Sequence, residues 1–388
     1  MKSALMGWGR RWFSRKPARD LTGFEPRRIL VVKLCCLGDI LFATPVVRAL
    51  KARYPGARIG YLVTAYCRDL VAADPRVDDI IEFNAYDPGT LPAKLLRAWP
   101  VVRKLRQQRF DLAVVLHRSP LAGLMAAASA IPVRLGFDWQ GEGFSLTHPV
   151  LFRPEAHEID RNLDCLRPLG LEVRDTATEL VPSPAADAAA ETFLAQAGAG
   201  DQSRPLIAVF PAGGVNPGTV MVTKRWPVEG YREVCARLSR RFGARLVLVG
   251  SRDDAAVGDE LAAGLGPDAP LLRAEGKTTL MVLAALLRRC DLFIGGDSGP
   301  LHMAAAVGTP TVSLFGPTDP RLLAPRGAAH RVLFKSPECA PCYNPLTIRQ
   351  GQAVACRQGN LVCLRSLTPE MVLEAAGELL AQKGFEPR

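Results

Sequence analysis

The strongest constraint on the fold is a rhythm that runs through the chain twice. Short apolar runs rich in β-branched residues alternate with longer segments whose apolar residues recur at helical spacing. Strands separated by helices of that length fit a parallel sheet joined by right-handed crossovers. In the first pass the strand candidates are Ile29–Leu34, Arg58–Val63, Asp79–Phe83, Phe110–Leu116 and Val133–Phe137. Helical patterns occupy Ile40–Tyr54, Tyr66–Ala73, Leu91–Gln107, Leu121–Ala130 and Ile159–Leu169. The proline- and alanine-rich stretch Val181–Gly200 reads as a boundary. From Arg204 the pattern restarts, with strands at Leu206–Phe210, Arg245–Val249, Leu271–Arg273, Leu292–Ile294 and Arg331–Phe334. Helices are expected at Val228–Phe242, Asp253–Leu265 and Thr279–Arg289, the last with Thr278 as N-cap, and at Pro369–Lys383. The expected organisation is a basic tail over 1–28, a Rossmann-like domain over 29–185 and a second over 200–365. A terminal helix over 366–388 is expected to pack back on the N-terminal domain.

The stretch Ile294–Gly316, IGGDSGPLHMAAAVGTPTVSLFG, concentrates the chemistry. A strand runs through two glycines into Asp297-Ser298-Gly299-Pro300 and then into a small-residue helix carrying His302. That geometry presents unsatisfied backbone N–H groups and a positive dipole end to a phosphate. A plain turn capped by Asp297 or Ser298 fits the same residues. Three further places set polar residues beyond a strand, where open α/β sheets bind ligands. In VKLCCLGD, Asp39 reads either as a helix N-cap or as a carboxylate able to take a proton from a hydroxyl. In FPAGGVNPGTVMVTKRWP, Gly213 and Gly214 can admit a ligand and Lys224 or Arg225 can meet a phosphate. In VGSRDD, Asp253 or Asp254 either holds ribose hydroxyls or caps a helix.

A net charge of +11 implies acidic company. Near the N-terminus Arg10, Arg11, Arg15, Lys16 and Arg19 interleave with Trp8, Trp12 and Phe13, a mixture that suits either an anionic leaflet or a solvated tail. That N-terminus has no continuous apolar core of a secretory signal, and no apolar run approaches the roughly 18 residues of a bilayer span. A cytoplasmic protein is expected. Of the ten cysteines, Cys35, Cys36, Cys67, Cys165, Cys235 and Cys290 are scattered and read as small core residues. Cys339, Cys342, Cys356 and Cys363 form two close pairs, which fit either a structural zinc site or reduced thiols in a packed loop.

Taken together, four segments resemble the heptosyltransferase family, glycosyltransferase family nine. They are VKLCCLGDILFATPVVRALKARYPGARI, FPAGG…KRWPVEGY, GGDSGPLHMAAAVGTPTVSLFGPTDP and CAPCYNP…C…CLRSLTPEMV, and the likeness runs from about Ile29 to Val372. The resemblance implies a GT-B fold, α/β with two Rossmann-like doubly wound domains facing a central cleft. The first would serve the acceptor and the second the nucleotide sugar. It implies inverting transfer of heptose from ADP-heptose to a lipopolysaccharide inner-core hydroxyl of a lipid A–Kdo acceptor, with no cofactor or metal in catalysis. Asp39 matches the family's general base and Lys224 its phosphate-contacting lysine; Asp297, Ser298, Gly299 and His302 match its donor loop. The loop Val215–Thr223 is longer than usual, and Asp253 and Asp254 do not align to one position. For the acceptor, Lys33, Arg68, His117 and Arg118 are candidates beside structural readings of each. The face of the inner membrane is the place such an acceptor implies.

Other classes fit less well. A nicotinamide oxidoreductase would carry G-x-G-x-x-G where this chain has CCLGD. The dispersed basic residues form no nucleic-acid motif. A non-catalytic nucleotide-sugar binder, or a transferase for another nucleotide sugar, remains the alternative.

Overall fold

The computed structural model describes residues 20–34, 36–85, 87, 90–198, 203–216, 219–266, 269–343 and 355–388. The basic segment through residue 19 and Cys35 lie outside them. The chain forms two units, one ending at Thr178 and the other beginning at Glu179.

In the first unit the strands are β1 (Arg28–Lys33), β2 (Arg58–Val63), β3 (Asp79–Glu82), β4 (Leu112–Val115), β5 (Val133–Asp138) and β6 (His148–Leu151). They form one parallel sheet in the order β3-β2-β1-β4-β5-β6. β1 and β4 are buried almost throughout, as the continuous apolar runs ILVV and LAVV require of strands covered on both faces. The sequence gives no separate signal for β6: its HPVL run is short and contains Pro149, which is tolerated because β6 is an edge strand. The single helix expected over Ile40–Tyr54 is two, Leu37–Leu41 and Thr44–Arg53. Pro45 has no N–H for the Leu41 carbonyl, and the Thr44 hydroxyl donates to that oxygen instead at 2.8 Å.

The second unit repeats the plan. Its strands are β7 (Leu206–Phe210), a small antiparallel ladder β8 (Val215–Asn216) and β9 (Thr219–Val220), then β10 (Arg245–Leu248), β11 (Leu271–Arg273), β12 (Leu292–Gly296), β13 (Thr311–Phe315) and β14 (His330–Phe334). The parallel sheet runs β11-β10-β7-β12-β13-β14, the same order as the first. The stretch read as a boundary holds the helix Pro184–Gln196, capped by Ser183, whose hydroxyl accepts from the Ala186 N–H at 3.2 Å. Its Ala186, Ala190 and Leu194 lie at helical spacing and are buried. The helix Leu280–Arg288 is capped by Thr279, one residue later than expected, because it is the Thr279 hydroxyl that accepts from the Val282 N–H at 3.3 Å. The terminal helix is Pro369–Gln382. Its Val372, Leu373, Ala376, Leu379 and Leu380 join Val234, Leu238 and Phe242 in the core of the second unit.

Candidate active site

Each sheet reverses its strand order beside its first strand, between β1 and β4 and between β7 and β12. The carboxyl ends at such a reversal leave room for a ligand, since the connecting helices depart to opposite faces. Most of the candidate residues fall at these two places.

In the second unit, β12 ends at Gly296 and the chain turns through Asp297 and Ser298 into the helix Gly299–Ala306. Ser298 is the N-cap residue, but its hydroxyl donates back to the Gly296 carbonyl at 3.0 Å and no side chain caps the helix. The first-turn amides are therefore left for an outside acceptor. Pro300 sits in the first turn, where its missing N–H costs nothing. Lys224 ends a short 3-10 turn, and its ammonium donates to Asp297 Oδ2 at 2.6 Å. His302 Nε2 lies 3.3 Å from Asp297 Oδ1. Burial alone would push the Asp297 carboxyl upward; Lys224 and His302 more than reverse this and hold it well below the usual carboxylate range. With Asp297 ionised, His302 Nε2 carries the proton and donates it. Lys224 also lies 5.4 Å from the centroid of the Tyr343 ring, within cation–π reach.

The loop after β7 is shaped by its glycines. Gly214 has φ +77°, and a Cβ there would run into the Met221 carbonyl. That close passage folds the loop back so that Lys224 returns beside the end of β12. Arg225 is committed to structure, donating from Nε to the Gly213 carbonyl at 2.9 Å. Asp254 serves as a cap, its Oδ2 accepting from the Ser251 N–H at 2.8 Å and the Ser251 hydroxyl at 2.7 Å, while Asp253 is exposed.

In the first unit, Asp39 lies in the short helix after β1 with its side chain 27% exposed. It does not act as an N-cap; that position is Cys36. Lys33, one of the acceptor candidates, is a buried ion-pair member. Its ammonium donates to Glu158 Oε1 at 2.7 Å and to Asn162 Oδ1 at 3.3 Å, and it lies 3.9 Å from Asp39 Oδ1. Burial pushes the Glu158 carboxyl up, but Lys33 and Arg161 outweigh it and leave the group below its usual range. Asn162 also donates to the Phe42 carbonyl at 3.1 Å, tying the break between the two short helices to this network. His117 and Arg118 follow β4. Burial, with the positive charges of Lys33 and Arg118, pushes the His117 ring down to about 3 against the pull of Glu158, so the ring is neutral at neutral pH. Arg118 lies over the Phe152 ring at 5.3 Å and Arg161 over the same ring at 4.9 Å. Arg68 is apart from this group, pairing at the surface with Glu82 at 3.0 Å and Asp69 at 3.7 Å. Sequence reasoning missed Glu158 and Asn162, which lie about 125 residues from Lys33 and belong to no local motif.

Of the scattered cysteines, Cys67, Cys165, Cys235 and Cys290 are buried and Cys36 is partly exposed, and no disulfide joins any of the described cysteines. Cys339, Cys342, Cys356 and Cys363 line one small cavity of ≈ 20 Å³ together with Thr223 and Pro317. The backbone amides of Leu361, Gln358, Asn360 and Gly359 surround the Cys356 sulfur and hold its thiol below the usual range. Among the described residues, however, no three His, Cys, Asp or Glu side chains converge as ligands for a metal ion. What the cysteine segment visibly does is back the loop of Lys224, through Thr223 and through Tyr343.

Solved structures share this fold. The glycosyl transferase family 9 protein from Veillonella parvula DSM 2008 superposes with a TM-score of 0.77 at 24% identity, covering 94% of this chain and 99% of that one. The E. coli ADP-heptose lps heptosyltransferase II superposes with a TM-score of 0.71 at 26% identity, covering 92% and 99%. The two repeated α/β sheets are those of a GT-B glycosyltransferase. The sequence profile of glycosyltransferase family 9 (heptosyltransferase) matches residues 98–352. Lipopolysaccharide heptosyltransferase 2 of Escherichia coli (strain K12) is 29% identical over 365 residues, 92% of this chain and 99% of the relative. The chain belongs to glycosyltransferase family 9. Lys224, Asp297 and His302 fall inside the profile match; Lys33 and Asp39 precede it.

Proposed function

We propose that this enzyme transfers a heptose from ADP-heptose to a hydroxyl of the lipopolysaccharide inner core, on a lipid A–Kdo type acceptor at the cytoplasmic face of the inner membrane. The observation that carries this reading is the Lys224–Asp297–His302 cluster at an uncapped helix N-terminus, in a family 9 chain. The similarity to a structure described as an ADP-heptose lps heptosyltransferase supports the choice of donor.

In this mechanism the Asp39 carboxylate takes the proton of the acceptor hydroxyl. The oxygen attacks the anomeric carbon on the face opposite the diphosphate, the bond from that carbon to the phosphate oxygen breaks, and ADP departs with inversion. Charge grows on the departing diphosphate, so the Lys224 ammonium and the first-turn amides at Gly299 stabilise the transition state more than the ground state. Asp297 keeps Lys224 in place until a phosphate competes for it. Gly213 and Gly214 let the loop pass close to the donor. No cofactor or metal takes part in this step.

The test separates binding from chemistry. Asp39→Ala is expected to keep ADP affinity and lose roughly a hundredfold or more in turnover; unchanged turnover would remove Asp39 as the base. Lys224→Ala is expected to weaken ADP binding and to lower turnover by on the order of a hundredfold. A mass-spectrometric panel of nucleotide sugars against lipid A–Kdo acceptors tests the donor, and preference for another sugar would overturn the heptose assignment.

A further inference from the structure

One helix of the first unit has a surface that the reaction does not use. Leu91–Gln108 packs Ala98, Val102 and Leu105 into the core. The side flanking that buried face exposes Leu95 at 49%, Trp99 at 59% and Leu96 at 76%. Residues 95 and 99 are four apart and 96 and 99 three apart, so the three side chains share one side of the helix. Arg106 and Arg103 stand on the same side, while Lys94, Arg97 and Lys104 project from the other sides of the helix, and residues 91–109 contain no Asp or Glu. Large apolar side chains left in water as a group mark an interaction surface.

We propose that this exposed helix face docks the enzyme on an anionic lipid bilayer. Leu95, Leu96 and Trp99 enter the boundary between headgroups and acyl chains, while the Arg103 and Arg106 heads reach the lipid phosphates. A tryptophan suits that depth, with an apolar ring and a polar N–H. The charge decides the occupant. A second copy would bring its own Arg103 and Arg106 against these, with no acidic residue on the helix to pair them, and like charges repel, whereas the protein's surplus of +11 complements an anionic leaflet. Pro100 fixes the depth. Within the helix it has no N–H to give the Leu96 carbonyl, which must find a donor in water or headgroups and cannot sit in hydrocarbon. Among the described residues no helix is long and apolar enough to cross a membrane, so the contact is one of lying on the surface.

The proposal stands on the helix surface and not on the identity of the donor. It is tested by co-sedimentation of the full chain with phosphatidylcholine vesicles, with and without phosphatidylglycerol, at low and high salt. Binding is expected only where phosphatidylglycerol is present, weakening with salt. The variant Leu96→Glu/Trp99→Glu should lose on the order of tenfold in vesicle affinity while keeping the wild-type melting curve and ADP affinity. Arg103→Glu/Arg106→Glu should lose binding in the same way and lose its salt dependence. Undiminished binding by the first variant would overturn the proposal and place the contact elsewhere, in the basic segment through residue 19 for instance. So would failure of the full chain to bind anionic vesicles, or a dimer in light scattering that the same substitutions break.

Discussion

Lys33 has two carboxylates within reach, Glu158 at 2.7 Å and Asp39 at 3.9 Å, and the difference matters for a base. A carboxylate gripped by an ammonium is a poor proton acceptor. Glu158 and Asn162 take up the Lys33 donors and leave Asp39 with a looser electrostatic neighbour. Glu158→Gln should therefore cost about 3 kcal/mol of stability, because a buried charge loses its partner. It should also lower turnover as Lys33 turns to Asp39, with ADP affinity unchanged. Lys33→Met/Glu158→Met should recover only part of the stability, since the Lys33 charge is gone but the buried Arg161 guanidinium, 3.1 Å from Glu158 Oε2, still loses its carboxylate; chemical denaturation of the two variants checks it. Two partly buried histidines, His117 and His330, give a pH dependence. Burial holds His117 down to about 3 and His330 to about 4, whereas an unfolded ring titrates near 6.5. The unfolded chain thus binds protons that the fold refuses. Stability present above about pH 6.5 is lost as the pH falls, by up to about 1.4 kcal/mol per pH unit for each ring. Urea midpoints between about pH 7 and pH 5 test this; His330→Asn should flatten part of the slope, and an unchanged slope would show that His330 titrates normally.

At the scale of the element, the loop between β7 and the helix Val228–Phe242 is the sensitive one. Gly214 holds a positive φ with the Met221 carbonyl against it, so Gly214→Ala strains the backbone and forces the loop open. ADP affinity should fall by roughly tenfold or more if Lys224 is displaced, and the melting temperature should fall as well, since the loop carries the buried Met221 and Trp226. Calorimetric titration with ADP is the check. The helix Gly299–Ala306 shows how legible an element can be. Its strand, glycines, proline and small residues stand consecutively, and the structure forms each part where the spacing predicts. Thr278 and the Ile40–Tyr54 helix were harder to read. Two adjacent threonines can each cap, and helical periodicity continues across Pro45 although the hydrogen bonds do not.

For the whole molecule, the two units have separate cores. Leu380→Ala, in the terminal helix, should destabilise the second unit by about 2–5 kcal/mol and leave the first almost untouched. Calorimetry should then show only one of two transitions shifting. A shift of both would mean that the helix stabilises the first unit as well.

The sequence by itself determined the two repeated α/β patterns and the strand–turn–helix of Ile294–Gly316. It also marked the candidates Asp39, Lys224, Asp297 and His302, because periodicity and turn chemistry are written in neighbouring residues. Tertiary structure decided the rest. It gave Lys33 to Glu158 and Asn162, closed Asp297 between Lys224 and His302, and gathered four cysteines around one cavity. It also buried the terminal helix in the second core and left Leu95, Leu96 and Trp99 uncovered. The partners of a buried charge and the cover of an apolar face are set by residues far away in the chain, and local spacing carries no record of them.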